Sequence, residues 1–151
     1  MMKHIILEQY QAKLGQLPDL KGIVRPREGW IRTLRKALGM SASQLASRIG
    51  IGKAQASQME RMETEDRITL KQLRRVADAL DCDLYYALVP RRPIADYLHQ
   101  QAQQKAKMLV DKAHIQMALE SQQLPVAKLQ MQIDAETERL LREMPRDLWE
   151  T

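Results

Sequence analysis

Apolar residues recur along this chain at three- and four-residue spacing, in runs separated by glycine, proline or charged stretches. Ile6, Tyr10, Leu14 and Leu17 share one face and predict a short amphipathic helix over 5–17. Pro18, Gly22 and Pro26 break the pattern, so the stretch to about Arg27 reads as a linker. Trp30, Ile31, Leu34 and Leu38 form the buried stripe expected of the next helix, which closes at Gly39. Ser41 is a good N-cap for another, with Leu45, Ala46 and Ile49 on its inner face. Gly50 has the freedom to take the positive φ that ends a helix, and Ile51 dips back toward the core. Gly52 and Lys53 restart the chain in a new direction, and Ala56 and Met59 face inward from a second helix.

The acidic run after Arg61, Met62–Arg67, lacks an apolar period and reads as a loop. Thr69 caps a helix with Leu70, Leu73, Val76, Ala77 and Leu80 at core spacing. Leu84–Val89, LYYALV, is β-favourable and is read as a short edge strand in preference to a last helical turn, with pairing between subunits as its use. From Pro93 to Gln123 no glycine or proline intervenes, and Ile94, Leu98, Ala102, Lys105, Leu109, Lys112, Ile115 and Leu119 recur at helical spacing. One helix of about 30 residues, about 45 Å long, is expected. Its stripe must meet a second copy, a partner chain or the final segment. After Leu124 and Pro125, the residues Val126, Leu129, Ile133, Leu140, Leu141 and Met144 outline a last amphipathic helix before Pro145, Leu148 and Trp149. The expected architecture is all-α with that one short strand. It divides into an N-terminal helix and linker (1–26), a compact helical domain (27–90) and a helical extension (91–151).

Composition sharpens this picture in two ways. Phenylalanine is absent and aromatics make up 4% of the 151 residues, so Leu, Ile, Val, Met and Ala must build the core, as suits helices. The net charge of +5 is concentrated: residues 27–62 hold seven basic side chains against two acidic ones, whereas 123–151 hold four against six. A cationic domain with an acidic tail admits an anionic partner for the domain. Cys82 stands alone, which excludes an intrachain disulfide and a zinc ribbon, and it is expected to be a small buried residue. No apolar run reaches the length of a membrane span, and the first residues lack a signal-peptide core, so a cytoplasmic, nucleoid-associated protein is expected.

Catalysis finds no constellation to support it. The stretch Gly50–Lys53 has glycines and a lysine, but its spacing is not that of a phosphate loop and a helix precedes it. His99 and His114 lie fifteen residues apart on one helix, about 22 Å, too far to share a metal, and no Cys–His or Ser elbow arrangement provides a nucleophile. No cofactor or metal is therefore expected. The two helices over Ser41–Arg61 offer different chemistry. Lys53, Ala54, Gln55, Ser57 and Gln58 form a short, polar, cationic face of the second helix that suits a major-groove floor. Lysine can donate to guanine, glutamine can pair with adenine and the alanine methyl can touch thymine. Ser41, Ser43, Arg61 and Arg32 are placed for backbone phosphates, with Arg27 and Arg35 as further candidates.

Ser41–Arg61, with Trp30–Leu38 before it and Thr69–Leu80 after it, resembles the phage-repressor and Cro type of helix-turn-helix domain. Ala46, Gly50, Ala56 and Met59 carry the resemblance, which covers roughly residues 27 to 90 and implies a lambda-repressor-like fold. It further implies that Lys53, Ala54, Ser57 and Gln58, with Gln55 beside them, touch base edges. A broader likeness runs through GWIRTLRKALGMSASQLASRIG, ITLKQLRRVADALDCDLYYALVPRRP and the ending LWE, and is similar to the family called mobile mystery protein A. Members of that family are usually encoded beside a Fic-domain protein, so this resemblance implies an antitoxin-like partner of a Fic-domain toxin. The inhibitory pattern of known Fic regulators, Ser or Thr followed four residues on by Glu and then Gly or Asn, has no match here.

The expected function is a sequence-specific repressor of its own operon, binding double-stranded DNA as a homodimer on an inverted-repeat operator. Ile94, Leu98, Leu109, Ile115, Leu119, Leu140 and Trp149 are the expected contacts for the second copy or partner. The competing class is a protein-interaction module that neutralises a toxin with little specific DNA binding. Single-stranded nucleic acid is disfavoured, since no row of aromatics offers base stacking.

Overall fold

The computed structural model describes residues 2–17, 20–119 and 125–150, the side chains of 117–119 excepted. Among these residues there are seven helices and no strand: α1 (Met2–Gly15), α2 (Trp30–Ala37), α3 (Ala42–Ile49), α4 (Lys53–Thr64), α5 (Leu70–Ala79), α6 (Ile94–Leu119) and α7 (Val126–Glu143). They fall into two compact units, one of residues 17–89 and one of residues 1–16 with 90–151.

The first unit is built around Ile31, Leu45, Ile49, Met59, Val76 and Leu80, which α2 to α5 bring to one centre. Local sequence decides where these helices start and stop. Ser41 and Thr69 each cap a helix by accepting from the backbone N–H of Gln44 and Gln72, whose side chains accept in return from the cap N–H groups. Gly50 ends α3 at φ 86°, a conformation that glycine adopts without steric cost. The acidic stretch expected as a loop is instead the continuation of α4 as far as Thr64, because Glu63 turns inward to bind the backbone rather than outward to water.

Two elements of this unit depart from expectation. Trp30 and Leu38 are about half exposed, and Ile31 alone in α2 is buried, so the stripe of α2 is narrower than its apolar pattern. Leu84–Val89 is an irregular segment in place of the expected strand, with Tyr85, Tyr86 and Leu88 exposed. A strand needs a ladder partner for its N–H and C=O groups, and no other segment of the described chain supplies one.

The second unit is a hairpin of α6 and α7, closed by the turn at 146–149 and joined by α1. Ala102, Ala106, Leu140 and Leu148 are its core, with Leu98, Ile133, Leu141 and Met144 packed around them. The helices approach along the alanines of α6, so Leu109 and Ile115, which the periodic pattern places with the buried stripe, lie outside the seam. Leu140, 2% exposed, is covered within the chain and so is not a surface for a second copy, whereas Leu98 is half-buried at the edge of the same core. The side chain of Leu119 lies outside the described residues. Lys105 is buried and donates from Nζ to the Glu150 carbonyl at 2.9 Å, and Gln101 donates to the Leu148 carbonyl at 2.9 Å. These bonds hold the final turn, with Leu148 inside and Trp149 outside. In α1 the residues turned toward protein are His4, Leu7 and Gln11, not Ile6, Tyr10 and Leu14. Lys3 donates to the Met144 carbonyl and His4 to that of Arg142, at the open end of α7.

Candidate nucleic-acid interface

The second helix of the α3–α4 pair has two chemically distinct sides. Ala56, Met59, Glu60 and Glu63 are buried, at i, i+3, i+4 and i+7. Lys53, Ala54, Gln55, Gln58 and Arg61 are exposed on the other side, and Ser57 is half-buried beside them. Ala46 and Ala56 are both almost wholly enclosed, the small residues that let α3 and α4 cross closely.

Two buried acids hold α4 in place. The Glu60 carboxylate accepts from Arg35 Nε at 2.5 Å and from Arg35 Nη2 at 3.2 Å, a two-pronged pair that joins α4 to α2. Arg35 also donates to the Met40 carbonyl at 3.0 Å. Hydrogen bonding to Glu60 raises the Arg35 guanidinium above its ordinary range, so it is charged at any working pH. Glu63 accepts the backbone N–H groups of Trp30 and Ile31 at 2.8 and 2.9 Å, supplying the cap that Gly29 has no side chain to provide. Gly29 sits at φ 87°, and a Cβ there would come within 2.7 Å of Glu63 Oε1. Behind Glu63, Arg25 donates to its backbone carbonyl at 2.8 Å and to Asp66 at 2.6 Å, tying the segment before α2 to the end of α4. In the sequence Glu60 enters only the charge balance of 27–62, and Glu63 falls in the acidic run read as a loop. Their spacing from Ala56 and Met59 is the signal that places both on the buried stripe.

The cationic side chains around the pair therefore divide into committed and uncommitted groups. Arg35 is bound by Glu60, Arg48 donates to the Ala79 carbonyl at 2.8 Å, and Lys36 pairs with Glu28 at 2.8 Å. The Lys36 ammonium holds the Glu28 carboxyl below its ordinary value. Arg32 is half exposed and reaches Glu28 at 3.8 Å. Arg27, Lys53 and Arg61 have no ion pair or side-chain hydrogen bond among the described residues, and so remain available to an anion. Arg35 is withdrawn from the phosphate contacts considered above. The hydroxyl of Ser41 accepts within its capping box, Ser43 is exposed in the first turn of α3, and α4 follows the N-cap Gly52, which puts no side-chain cap on its N–H groups.

Elsewhere, Leu109, Ile115 and Trp149 are exposed and Ile94 is half-buried on the hairpin unit. Cys82 is half-buried against the first core and donates from Sγ to the Leu80 carbonyl. Among the described residues no cluster of His, Cys, Asp and Glu is arranged to hold a metal, and no helix is long and apolar enough to cross a membrane.

No curated protein and no solved structure matches the chain. A family model described as helix-turn-helix does, over residues 31–86, from the start of α2 to the segment beyond α5. Residues 31–86 are thus similar to a helix-turn-helix domain, with α3 and α4 at the place of its paired helices.

Proposed function

We propose that the chain is a homodimeric transcriptional repressor that reads an inverted-repeat operator in duplex DNA through the outer side of α4. The observation that carries this reading is the division of α4, where every residue that fastens the helix points inward and Lys53, Ala54, Gln55 and Gln58 face solvent together. Those four, with Ser57 at their edge, have the donors, acceptors and methyl group that base edges in the major groove require. Ser43, Arg32 and Arg61, with the uncapped start of α4, contact the sugar-phosphate chain on either side, and the Ser41 hydroxyl adds to them as a donor. One such unit spans too few base pairs for genomic specificity, so two copies bind half-sites about 34 Å apart.

Leu109, Ile115 and Trp149 form the surface for self-association in this reading. The resemblance to mobile mystery protein A adds a Fic-domain protein as the partner, and the exposed Trp149 is its natural anchor.

A gel shift on the duplex immediately upstream of the gene tests the first part. Lys53→Ala with Gln58→Ala is expected to weaken specific binding at least about thirtyfold, from about 1–3 kcal/mol for each base contact. Unchanged specific binding would show that another surface reads the DNA. Sedimentation of Leu109→Lys with Ile115→Lys is expected to show monomer, and a persistent dimer would place the interface elsewhere. Co-purification with the neighbouring gene product, before and after removal of residues 124–151, tests the partner.

A further inference from the structure

A cleft of about 530 Å³ opens between α2 and α4 in the helix-turn-helix unit. Arg27, Arg32 and Arg61 line it, with the hydroxyl-bearing Ser57 and Thr64 and one further acid, Glu28, which Lys36 pairs from outside the lining at 2.8 Å. Arg35 and Glu60 also reach its wall but neutralise each other. The remaining three guanidinium groups and one carboxylate leave a lining of net charge +2. Arg27 and Arg61 have no protein partner among the described residues, and Arg32 holds Glu28 only at 3.8 Å. Guanidinium groups converging on a concave surface without matching acids are suited to the tetrahedral oxygens of phosphate, which accept paired N–H donors. The volume lies within the roughly 300–1,000 Å³ of small-ligand sites, larger than one inorganic phosphate needs.

We propose that this cleft is a binding site for a phosphate-bearing ligand, with Arg27 and Arg61 as its principal donors and Ser57 and Thr64 as neutral hydrogen-bonding groups. Phosphate reaches it from one of two sources, the backbone of bound duplex or a free nucleotide-sized anion. Because Ser57 and Arg61 belong both to the cleft and to the surface assigned to DNA, a free anion in the cleft competes with duplex. That competition rests on the DNA-reading function proposed above; anion binding itself does not. Glu28 sets the strength of the site, since its charge lies in the same cleft and opposes any anion.

The test uses the full chain with inorganic pyrophosphate and ADP as calorimetric probes at low salt, alongside the salt dependence of binding to a non-specific duplex. For a free-anion site, a probe binds, Arg27→Ala weakens it at least about tenfold through loss of charge-assisted bonds, and Arg27→Lys restores part of the loss. Glu28→Gln strengthens binding about threefold, a gain that damage to the fold could not produce. For a backbone-phosphate site, neither probe binds, but Arg27→Ala lowers the slope of log affinity against log salt by about one. If Arg27→Ala and Glu28→Gln leave both probe binding and the duplex slope at their wild-type values, the proposal is overturned. A protein that fails to bind duplex but binds pyrophosphate through Arg27 would remove the repressor reading and retain this one.

Discussion

Glu63, in the last turn of α4, accepts the backbone N–H of Ile31 at 2.9 Å, and so fixes the start of α2 from the second helix of the helix-turn-helix pair. Both residues are buried, so water does not compete for the bond. Glu63→Ala leaves two backbone N–H groups without an acceptor and is expected to destabilise the helix-turn-helix unit by about 2–4 kcal/mol. Glu63→Gln keeps one acceptor oxygen and recovers part of that. Thermal or urea unfolding of the two variants measures the difference, and equal losses would discard the capping role.

Gly29→Ala is expected to destabilise by a similar route. The new Cβ would come within 2.7 Å of Glu63 Oε1, and φ at this position is 87°. A non-glycine residue there carries strain on the order of 1–3 kcal/mol before any displacement of Glu63 is counted. Gly50→Ala, at φ 86° but with open space around the added carbon, is expected to lose only about 1–2 kcal/mol. Comparing their unfolding midpoints separates steric displacement from backbone strain.

The Arg35–Glu60 pair, nearly enclosed between α2 and α4, gives a third prediction. Glu60→Ala strands a guanidinium and is expected to cost about 3–5 kcal/mol, whereas Arg35→Met with Glu60→Leu costs much less or nothing. A double-mutant cycle in urea measures the coupling, and additive losses would mean that the two side chains act independently.

Acid should loosen the hairpin unit through Glu136. Its hydrogen bond from the Arg139 guanidinium holds the carboxyl below the ordinary value of 4.5. A depressed folded-state pKa contributes stability that is fully present above 4.5 and is lost as pH falls through the folded value. Melting temperature followed from pH 7 to pH 3 is expected to fall on the acid side, and Glu136→Gln is expected to flatten that fall.

At the end of the chain, neighbouring large residues should behave oppositely. Leu148 is 1% exposed and Trp149 is 59% exposed. Leu148→Ala is expected to cost about 2–5 kcal/mol through the cavity it leaves, while Trp149→Ala stays within about 0.5 kcal/mol in the isolated chain. Denaturant titration of each variant measures this.

The residues that announced the fold act within a few positions of themselves. Ser41 and Thr69 cap helices by bonds to the third residue on, and Gly50 ends α3 by its own backbone, so each could be read from a short window. Ala56 and Met59 set the inner side of α4 in the same way. What could not be read depends on partners far along the chain. Glu63 is satisfied by residues 32 and 33 positions earlier, and Arg35 meets Glu60 across 25 positions. In α6 the alanines, not the larger Leu109 and Ile115, lie in the hairpin seam, because close approach of two helices selects small residues and periodicity alone does not rank size. The LYYALV run has the composition of a strand, but among the described residues no neighbouring segment pairs with it.

Because the attachments of α4 occupy positions 56, 59, 60 and 63, the exposed positions 53, 54, 55 and 58 can vary without disturbing how the helix is mounted. Under the proposed function, new target sequences are therefore reachable by exchanging a handful of outward side chains on an unchanged frame. A library randomised at those four sites should yield many folded proteins that differ in the DNA they select.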